Sequence, residues 1–317
     1  MDPRKVLVFR TVARAGSLSA AARELGWSQP AVSQQLAALE REVGVPLFVR
    51  SSRGVTPTEA GRLLLRRADA VAGELHMAGE ELASLAELRG GRVRLVAFPS
   101  AAATVAPAAL KLLAADHPEV EVALVEAEPP EAWASVREGE ADVALVFGYD
   151  GPPPDSAGSP GALTWLPLAV EPVDLVLPPD HPAGRARAVR LDRLADDTWI
   201  GGCPRCRSHL VERCRDAGFE PRLAHETDDY VAVQALVAAG LGVTLLPRSA
   251  LRAFRHPDVV VRESPSLGHR HVGLVYRPGA EQVPATRAFV ERLLRVTSPR
   301  GSRGRPRTAD RPADPAR

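Results

Sequence analysis

The chain has 317 residues, 45% of them apolar and 25% charged. This is the balance of an ordinary globular protein with room for about two or three compact units. No apolar run reaches the roughly 18–20 residues that cross a bilayer, and residues 1–16 carry arginines where a secretion signal has a continuous apolar core. Membrane-spanning and exported proteins are therefore not expected, and a cytoplasmic one is.

The net charge of +1 hides an uneven distribution. Residues 1–67 hold eleven Lys and Arg against five Asp and Glu, a balance of +6. Residues 298–317 hold six Arg against two Asp, a balance of +4, which leaves −9 on the middle of the chain. A basic head on an acidic body suits a protein whose first domain meets a polyanion and whose body must not. Only Lys5 and Lys111 are lysines. With the abundant Ala and Pro, that reflects coding bias in a GC-rich genome more than function.

The spacing predicts a first helix over 3–15, with Val6, Leu7, Phe9, Val12 and Ala13 on its apolar stripe. Gly16 ends it, in the position where a left-handed backbone is tolerated. A short second helix over 20–25 is started by Ser17 or Ser19 and closed by Gly26, and Ser28 caps a third over about 29–43. Two short helices about a glycine-containing turn fit the helix-turn-helix plan. On the third, Val32, Leu36, Leu39 and Val43 share one face and pack inward. Its N-terminal half, the part of a recognition helix that meets base edges, offers Gln29, Pro30, Ser33 and Gln34. Glutamine can bond adenine in two places, serine is adaptable, and Pro30 with Ala31 can touch thymine methyls. A merely solvated helix face would also carry Gln and Ser. Residues 47–50 and 53–56 are strand-like runs around Ser51-Ser52, a hairpin of winged type. Arg50 and Arg53 at its tip would reach phosphates or a minor groove, unless they are simply solvated.

Here a resemblance becomes plain. The run from Phe9-Arg10-Thr11-Val12-Ala13-Arg14-Ala15-Gly16-Ser17 to Leu18-Ser19-Ala20-Ala21-Ala22 resembles the opening signature of LysR-type regulators. So do Ser28-Gln29-Pro30-Ala31-Val32-Ser33-Gln34-Gln35-Leu36 through Leu39-Glu40, Gly44-Val45-Pro46-Leu47-Phe48-Val49-Arg50, and Thr56-Pro57-Thr58-Glu59-Ala60-Gly61. Matches in order across some sixty residues are specific. The resemblance implies that Gln29, Pro30, Ser33, Gln34, Arg50 and Arg53 line the DNA face.

Thr56-Pro57-Thr58-Glu59 reads as a capping box, with Thr56 the cap, Pro57 in the first turn and Glu59 reaching back. The helix it opens runs to about residue 88, where Arg89-Gly90-Gly91 stops it. Along it Leu64, Ala68, Val71, Leu75, Ala78, Leu82 and Leu85 recur at alternating steps of four and three, a heptad seam. A helix packed on its own domain is the alternative, but small Ala alternating with Leu favours a homodimer. Similar proteins dimerise through this helix and often form tetramers. Two recognition helices would then read half-sites on one DNA face, separated by multiples of a roughly 10-bp turn.

From Arg92 onward short strands alternate with helices, the pattern of an α/β domain with a parallel sheet. Strands are expected over 93–98, 120–125 and 142–147, with helices over 101–114 and 131–138. Residues 148–161, rich in Gly and Pro, read as a loop. A second unit has strands over 173–177, 198–200, 222–226 and 242–245, with helices over 205–217 and 230–239. A strand over 271–276 and a helix over 285–296 return to the first unit. Two lobes crossed twice by the chain make a hinge and a cleft. This is similar to the LysR effector domain, itself like the periplasmic solute-binding proteins, and clearest in Val237-Ala238-Ala239-Gly240-Leu241-Gly242-Val243-Thr244-Leu245-Leu246-Pro247.

Strand ends and helix N-termini should wall that cleft and favour an anion. Ser100 begins one such helix and matches the family position most often tied to effector binding, although a plain N-cap is the alternative. Gly201-Gly202-Cys203 begins the facing helix, and Phe147 and Gly148 lie where the first lobe hands over to the crossing strands. Glu126-Ala127-Glu128 stands where some relatives have a hydroxyl residue near the ligand, so an aromatic carboxylate is not assumed. Cys203-Pro204-Arg205-Cys206, with His209 and Cys214, superficially resembles a metal or redox motif. Packing, a dithiol switch with Cys203 activated at a helix N-terminus and metal binding remain open for it.

The expected architecture is α/β, with an N-terminal all-α winged helix-turn-helix, a long linker helix and a two-lobed effector domain. Residues 1–58 would bind DNA and 59–90 would dimerise. Residues 92–297 would sense the ligand, with lobe I at about 92–167 and 269–297 and lobe II at about 168–268. Residues 298–317 lack apolar periodicity and should be disordered. The expected function is promoter binding modulated by a small molecule in the cleft, without enzymatic activity, cofactor or metal. A thiol-redox regulator using Cys203 and Cys206 is the alternative, and a thiol oxidoreductase a remoter one.

Overall fold

The structure is a computed structural model and describes residues 1–51, 54–87, 91–149, 151, 162–185 and 190–297. At its head stand α1 (Pro3–Ala15), α2 (Leu18–Leu25) and α3 (Gln29–Val43). Asp2, Ser17 and Ser28 cap them, accepting from the N–H groups of Arg4, Ala20 and Ala31. Gly16, Gly26 and Gly44 end them in the left-handed conformation. Phe9, Val12, Val32, Leu36 and Leu39 are fully buried between the helices, each stabilising the head by roughly 1.5–3 kcal/mol. A two-stranded antiparallel wing, β1 (Phe48–Ser51) and β2 (Gly54–Pro57), packs beside them. Gly54 has a φ of +128°, and a Cβ there would lie 2.3 Å from the Gly16 carbonyl oxygen. Only glycine lets the wing approach so closely, and the Val55 N–H donates to that same oxygen at 2.9 Å.

The linker helix α4 spans Glu59–Glu87. Its cap is Thr58 rather than Thr56, for the Thr58 Oγ1 accepts from the Gly61 N–H at 3.0 Å. Thr56 pairs with Val49 in the wing, so its backbone is committed to the sheet and the helix begins two residues later. The heptad seam divides along its length. Leu64 and Ala68 pack into the head core, whereas Val71, Leu75 and Leu82 are 40%, 58% and 67% exposed. The Leu85 side chain and the stop at 88–90 lie outside the described residues. On another face Met77 joins the core of the body.

The body is built on a seven-stranded sheet. In its first half β3 (Arg92–Ala97) lies parallel between β4 (Glu121–Glu126) and β5 (Val143–Gly148). Next to β5 comes β11 (His269–Tyr276), and next to it β6 (Thr164–Leu177), both pairings antiparallel. The far end of β6 pairs with β9 (Thr244–Pro247) and β10 (Val260–Glu263), also antiparallel. The sheet is thus mixed, not parallel as the strand–helix alternation suggests. One long strand, β6, passes from the first half to the second, and β11 returns beside it, so the crossing segments run against their neighbours. A separate parallel pair, β7 (Thr198–Gly201) and β8 (Arg222–Glu226), completes the second half.

Helices α6 (Val105–Asp116), α7 (Pro129–Glu138) and α11 (Pro284–Thr297) cover the first half, with Leu95, Leu145, Leu274 and Phe289 at its centre. Helices α8 (Pro204–Asp216), α9 (Tyr230–Ala238) and the short α10 (Arg248–Ala253) cover the second, around Leu175, Trp199 and Leu210. The helix expected over 101–114 is broken into α5 (Pro99–Ala102) and α6. Pro107 has no N–H to offer the carbonyl of Ala103 and its ring collides there, so α6 starts afresh.

Candidate functional site

Two surfaces follow from this fold. The first is on the head. Complete burial of Val32, Leu36 and Leu39 orients α3, leaving Gln29, Pro30 and Gln34 exposed and Ser33 half-buried on its outer side. Ser28 caps the helix at the same end, its Oγ accepting from the Ala31 N–H, so the polar side chains project from a fixed first turn. Arg50 is exposed on the wing. Arg53 lies outside the described residues.

The second surface is a cavity of about 40 Å³ between the two halves of the body. It brings together Ser100, Phe147, Gly202 and Cys203 from the sequence-based candidates. Gly148 and Gly201 are buried close behind it without lining it. A Cβ on Gly148 would meet the Gly151 carbonyl oxygen at 2.4 Å, so this glycine serves the turn.

The centre of the cavity is a residue the sequence analysis missed. Arg270, on β11, is 2% exposed. Its guanidinium stacks on the rings of Phe98 and Phe147, 4.7 and 4.3 Å from their centroids. Its Nε donates to Glu171 Oε1 at 2.6 Å, and its Nη2 donates to Ser100 Oγ and Ser249 Oγ at 2.9 Å each and also contacts Glu171. Glu171 in turn accepts from the Ser249 N–H at 3.0 Å. A buried guanidinium is tolerated because it is paired and hydrogen-bonded. Ser100 is therefore more than a cap: the α5 cap position, Phe98, makes no side-chain cap bond, and the Ser100 hydroxyl serves Arg270. One signal was available. Arg270 shares the two-residue period of Val272, Leu274 and Tyr276, all buried, and an arginine in phase with a strand's apolar face asks for a buried partner.

Glu128, at the start of α7, also lines the cavity. Burial, more than the nearby Asp228, pushes its carboxyl above the usual carboxylate range, while Cys203 and Arg270 pull the other way. Cys203 caps α8, its Sγ accepting from the Cys206 N–H at 3.3 Å, and the two sulfurs lie 2.7 Å apart. The hydrogen bond with Cys203 lowers the Cys206 pKa, with Arg270 acting in the same sense. Cys203 itself is pushed up, first by that hydrogen bond and then by burial.

The other members of the motif belong to packing. The Nε2 of His209 bonds the Leu267 carbonyl at 2.7 Å, and its ring stacks on Tyr149 at 3.9 Å. Cys214 sits in the core beside Trp199 and Leu210, its thiol pushed up to about 12 by burial.

A winged helix-turn-helix on a long helix, joined to two lobes about a cleft, defines a ligand-responsive DNA-binding protein. Residues 3–62 match the bacterial regulatory helix-turn-helix proteins of the lysR family, and residues 86–298 match the LysR substrate binding domain. The chain belongs to the LysR family of transcriptional regulators and is not an enzyme. It is 32% identical to a probable HTH-type transcriptional regulator, LrrA, of Synechococcus elongatus, over 94% of this chain and 98% of that one. It is 34% identical to a probable hydrogen peroxide-inducible genes activator of Mycobacterium leprae, over 85% and 86%. A solved hydrogen peroxide-bound OxyR variant of Corynebacterium glutamicum superposes with a TM-score of 0.57 at 27% identity, covering 93% of this chain and 92% of that one. Among the described residues no helix is long and apolar enough to cross a membrane.

Proposed function

We propose that the chain is a cytoplasmic, homo-oligomeric regulator that reads promoter DNA with Gln29, Pro30, Ser33 and Gln34, grips the backbone with Arg50 and Arg53, and answers to a small molecule in the cleft. The observation that carries this reading is the division of α3, with Val32, Leu36 and Leu39 fully buried and its N-terminal polar side presented to solvent. The exposed stripe of Val71, Leu75, Ala78 and Leu82 supports pairing through the linker helix. A ligand acts by binding one arrangement of the two lobes better than another. The test is a gel shift on the DNA upstream of the chain's own gene. Ser33→Ala with Gln34→Ala abolishes specific retention in a protein whose circular dichroism is unchanged. Specific retention by that variant would move the reading face elsewhere.

The 2.7 Å approach of the Cys203 and Cys206 sulfurs favours a second reading, in which the input is an oxidant. Hydrogen peroxide would take two electrons and two protons from the pair, leaving one S–S bond and two waters. Thiol counting before and after peroxide, together with the gel shift, separates the readings. Loss of two thiols with altered retention, abolished in Cys206→Ser, supports the oxidant. Unchanged retention favours the ligand.

A further inference from the structure

We propose that the cleft takes a small zwitterion of the α-amino acid class, its carboxylate on Arg270 and its ammonium on Glu128 and Asp228. The proposal deepens the effector reading and rests on it.

Three features of the cavity carry it. The first is a donor without a partner. A guanidinium has five N–H groups, and the Nε and Nη2 of Arg270 serve Glu171, Ser100 and Ser249. Nη1 has no hydrogen bond among the described residues, in a side chain only 2% exposed. Its two N–H groups suit an acceptor that comes from outside the chain.

The second is an acceptor without a partner. The Glu128 carboxyl has a hydrogen bond with Cys203, but its Oε2 is buried and bonds nothing among the described residues. Glu128 begins α7 in the first lobe, and Asp228 precedes α9 in the second, and both line the cavity. They are close enough for Asp228 to raise the Glu128 pKa. Two carboxylates that line one cavity from opposite lobes repel unless a cation lies between them. A ligand ammonium would remove the repulsion and draw the lobes together.

The third is the balance of charge and space. Glu171 already neutralises Arg270, so Glu128 and Asp228 leave the cavity with an excess of negative charge. A simple anion would satisfy Nη1 but add to that excess, and a simple amine would leave Nη1 unmet. A molecule with both groups meets both needs. The cavity volume of about 40 Å³ holds about three waters, which restricts the ligand to a compact member of the class.

The test titrates the full-length protein by calorimetry with glycine, acetate and methylamine in turn. Glycine is expected to saturate and to bind at least about tenfold more tightly than either half-molecule. Glu128→Gln and Asp228→Asn each weaken glycine about tenfold, whereas acetate, relieved of one repelling carboxylate, binds no less tightly than to the unaltered protein. Arg270→Gln combined with Glu171→Gln removes both charges of the buried pair, so the protein folds without a stranded ion, and glycine binding is lost. Acetate or methylamine binding as tightly as glycine overturns the proposal. So does glycine affinity unaltered by Glu128→Gln, or a flat titration with glycine. If glycine binds with the stated selectivity and gel-shift retention does not change, the site stands and the regulatory reading falls.

Discussion

Asp142 ties three elements together through one carboxylate. Its Oδ2 accepts from the Arg94 backbone N–H at 2.7 Å on β3, and its Oδ1 pairs with Arg94 Nη2 at 2.6 Å and His76 Nε2 at 3.3 Å on the linker helix. Burial raises its pKa, but the hydrogen bonds and charge of Arg94 outweigh burial, and the net direction is down. A carboxyl whose folded pKa lies below its unfolded value of about 3.9 stabilises the protein above that value. The contribution is lost as pH falls through the folded pKa. Stability should therefore drop in acid below about pH 4, and Asp142→Asn should flatten that limb while costing about 3 kcal/mol at neutral pH. Urea unfolding at several pH values measures both. The partners of Asp142 lie 48 and 66 residues away, so neither Arg94 nor His76 announces the pairing in the sequence. Arg270 has the same character: its phase on β11 is legible, but Glu171, 99 residues distant, is not. The α3 face differs, because helical geometry alone sorts Gln34 from Leu36.

At the scale of elements, the linker helix carries the clearest division. Its heptad period is visible in the sequence, but the occupant of each position is a matter of packing. Leu64 and Ala68 are covered by the head of the same chain, and only the stripe from Val71 to Leu82 is free for a partner among the described residues. Val71→Glu with Leu75→Glu should leave the fold within about 0.5 kcal/mol, since both sites are exposed. The same variant should convert the oligomer to monomers in sedimentation. An oligomer that survives would place the interface elsewhere. Element boundaries follow the local chemistry at Gly16, Gly26 and Gly44, whereas the linker-helix cap sits two residues beyond the expected one because the wing holds Thr56. The direction of the sheet does not follow local chemistry, because β6 and β11 meet only after the intervening segment has folded back.

At the scale of the molecule, the basic balance of the head takes on a different meaning. Arg10 and Arg14 on α1 count towards its +6, yet they face carboxylates of their own chain. Arg14 bonds Glu138 Oε2 at 2.8 Å and Glu140 Oε1 at 3.0 Å on the body, and Asp69 Oδ1 at 2.8 Å on the linker helix. Arg10 joins Asp69 at 2.9 Å and contacts the Glu138 carbonyl. Head, linker and body thus meet at one ion cluster around Asp69, which is 5% exposed. Arg14→Ala should lower stability by about 1–3 kcal/mol while leaving the salt slope of DNA retention unchanged, because it neutralises no phosphate. A slope smaller by about one unit would instead make Arg14 a phosphate contact.

Local chemistry within the chain determined the helix-turn-helix, the wing, the long amphipathic helix and the alternating strands and helices of the body. Each depends on periodicity, caps and turn residues that act within a few positions of one another. Tertiary structure alone decided the rest: the Arg270–Glu171 pair at the centre of the cleft, the antiparallel crossing strands, the ion cluster that spends two head arginines, and the part of the linker seam left open. These depend on which distant residues share a desolvated space, and a buried charge selects its partner by proximity in the folded chain, not by spacing along it.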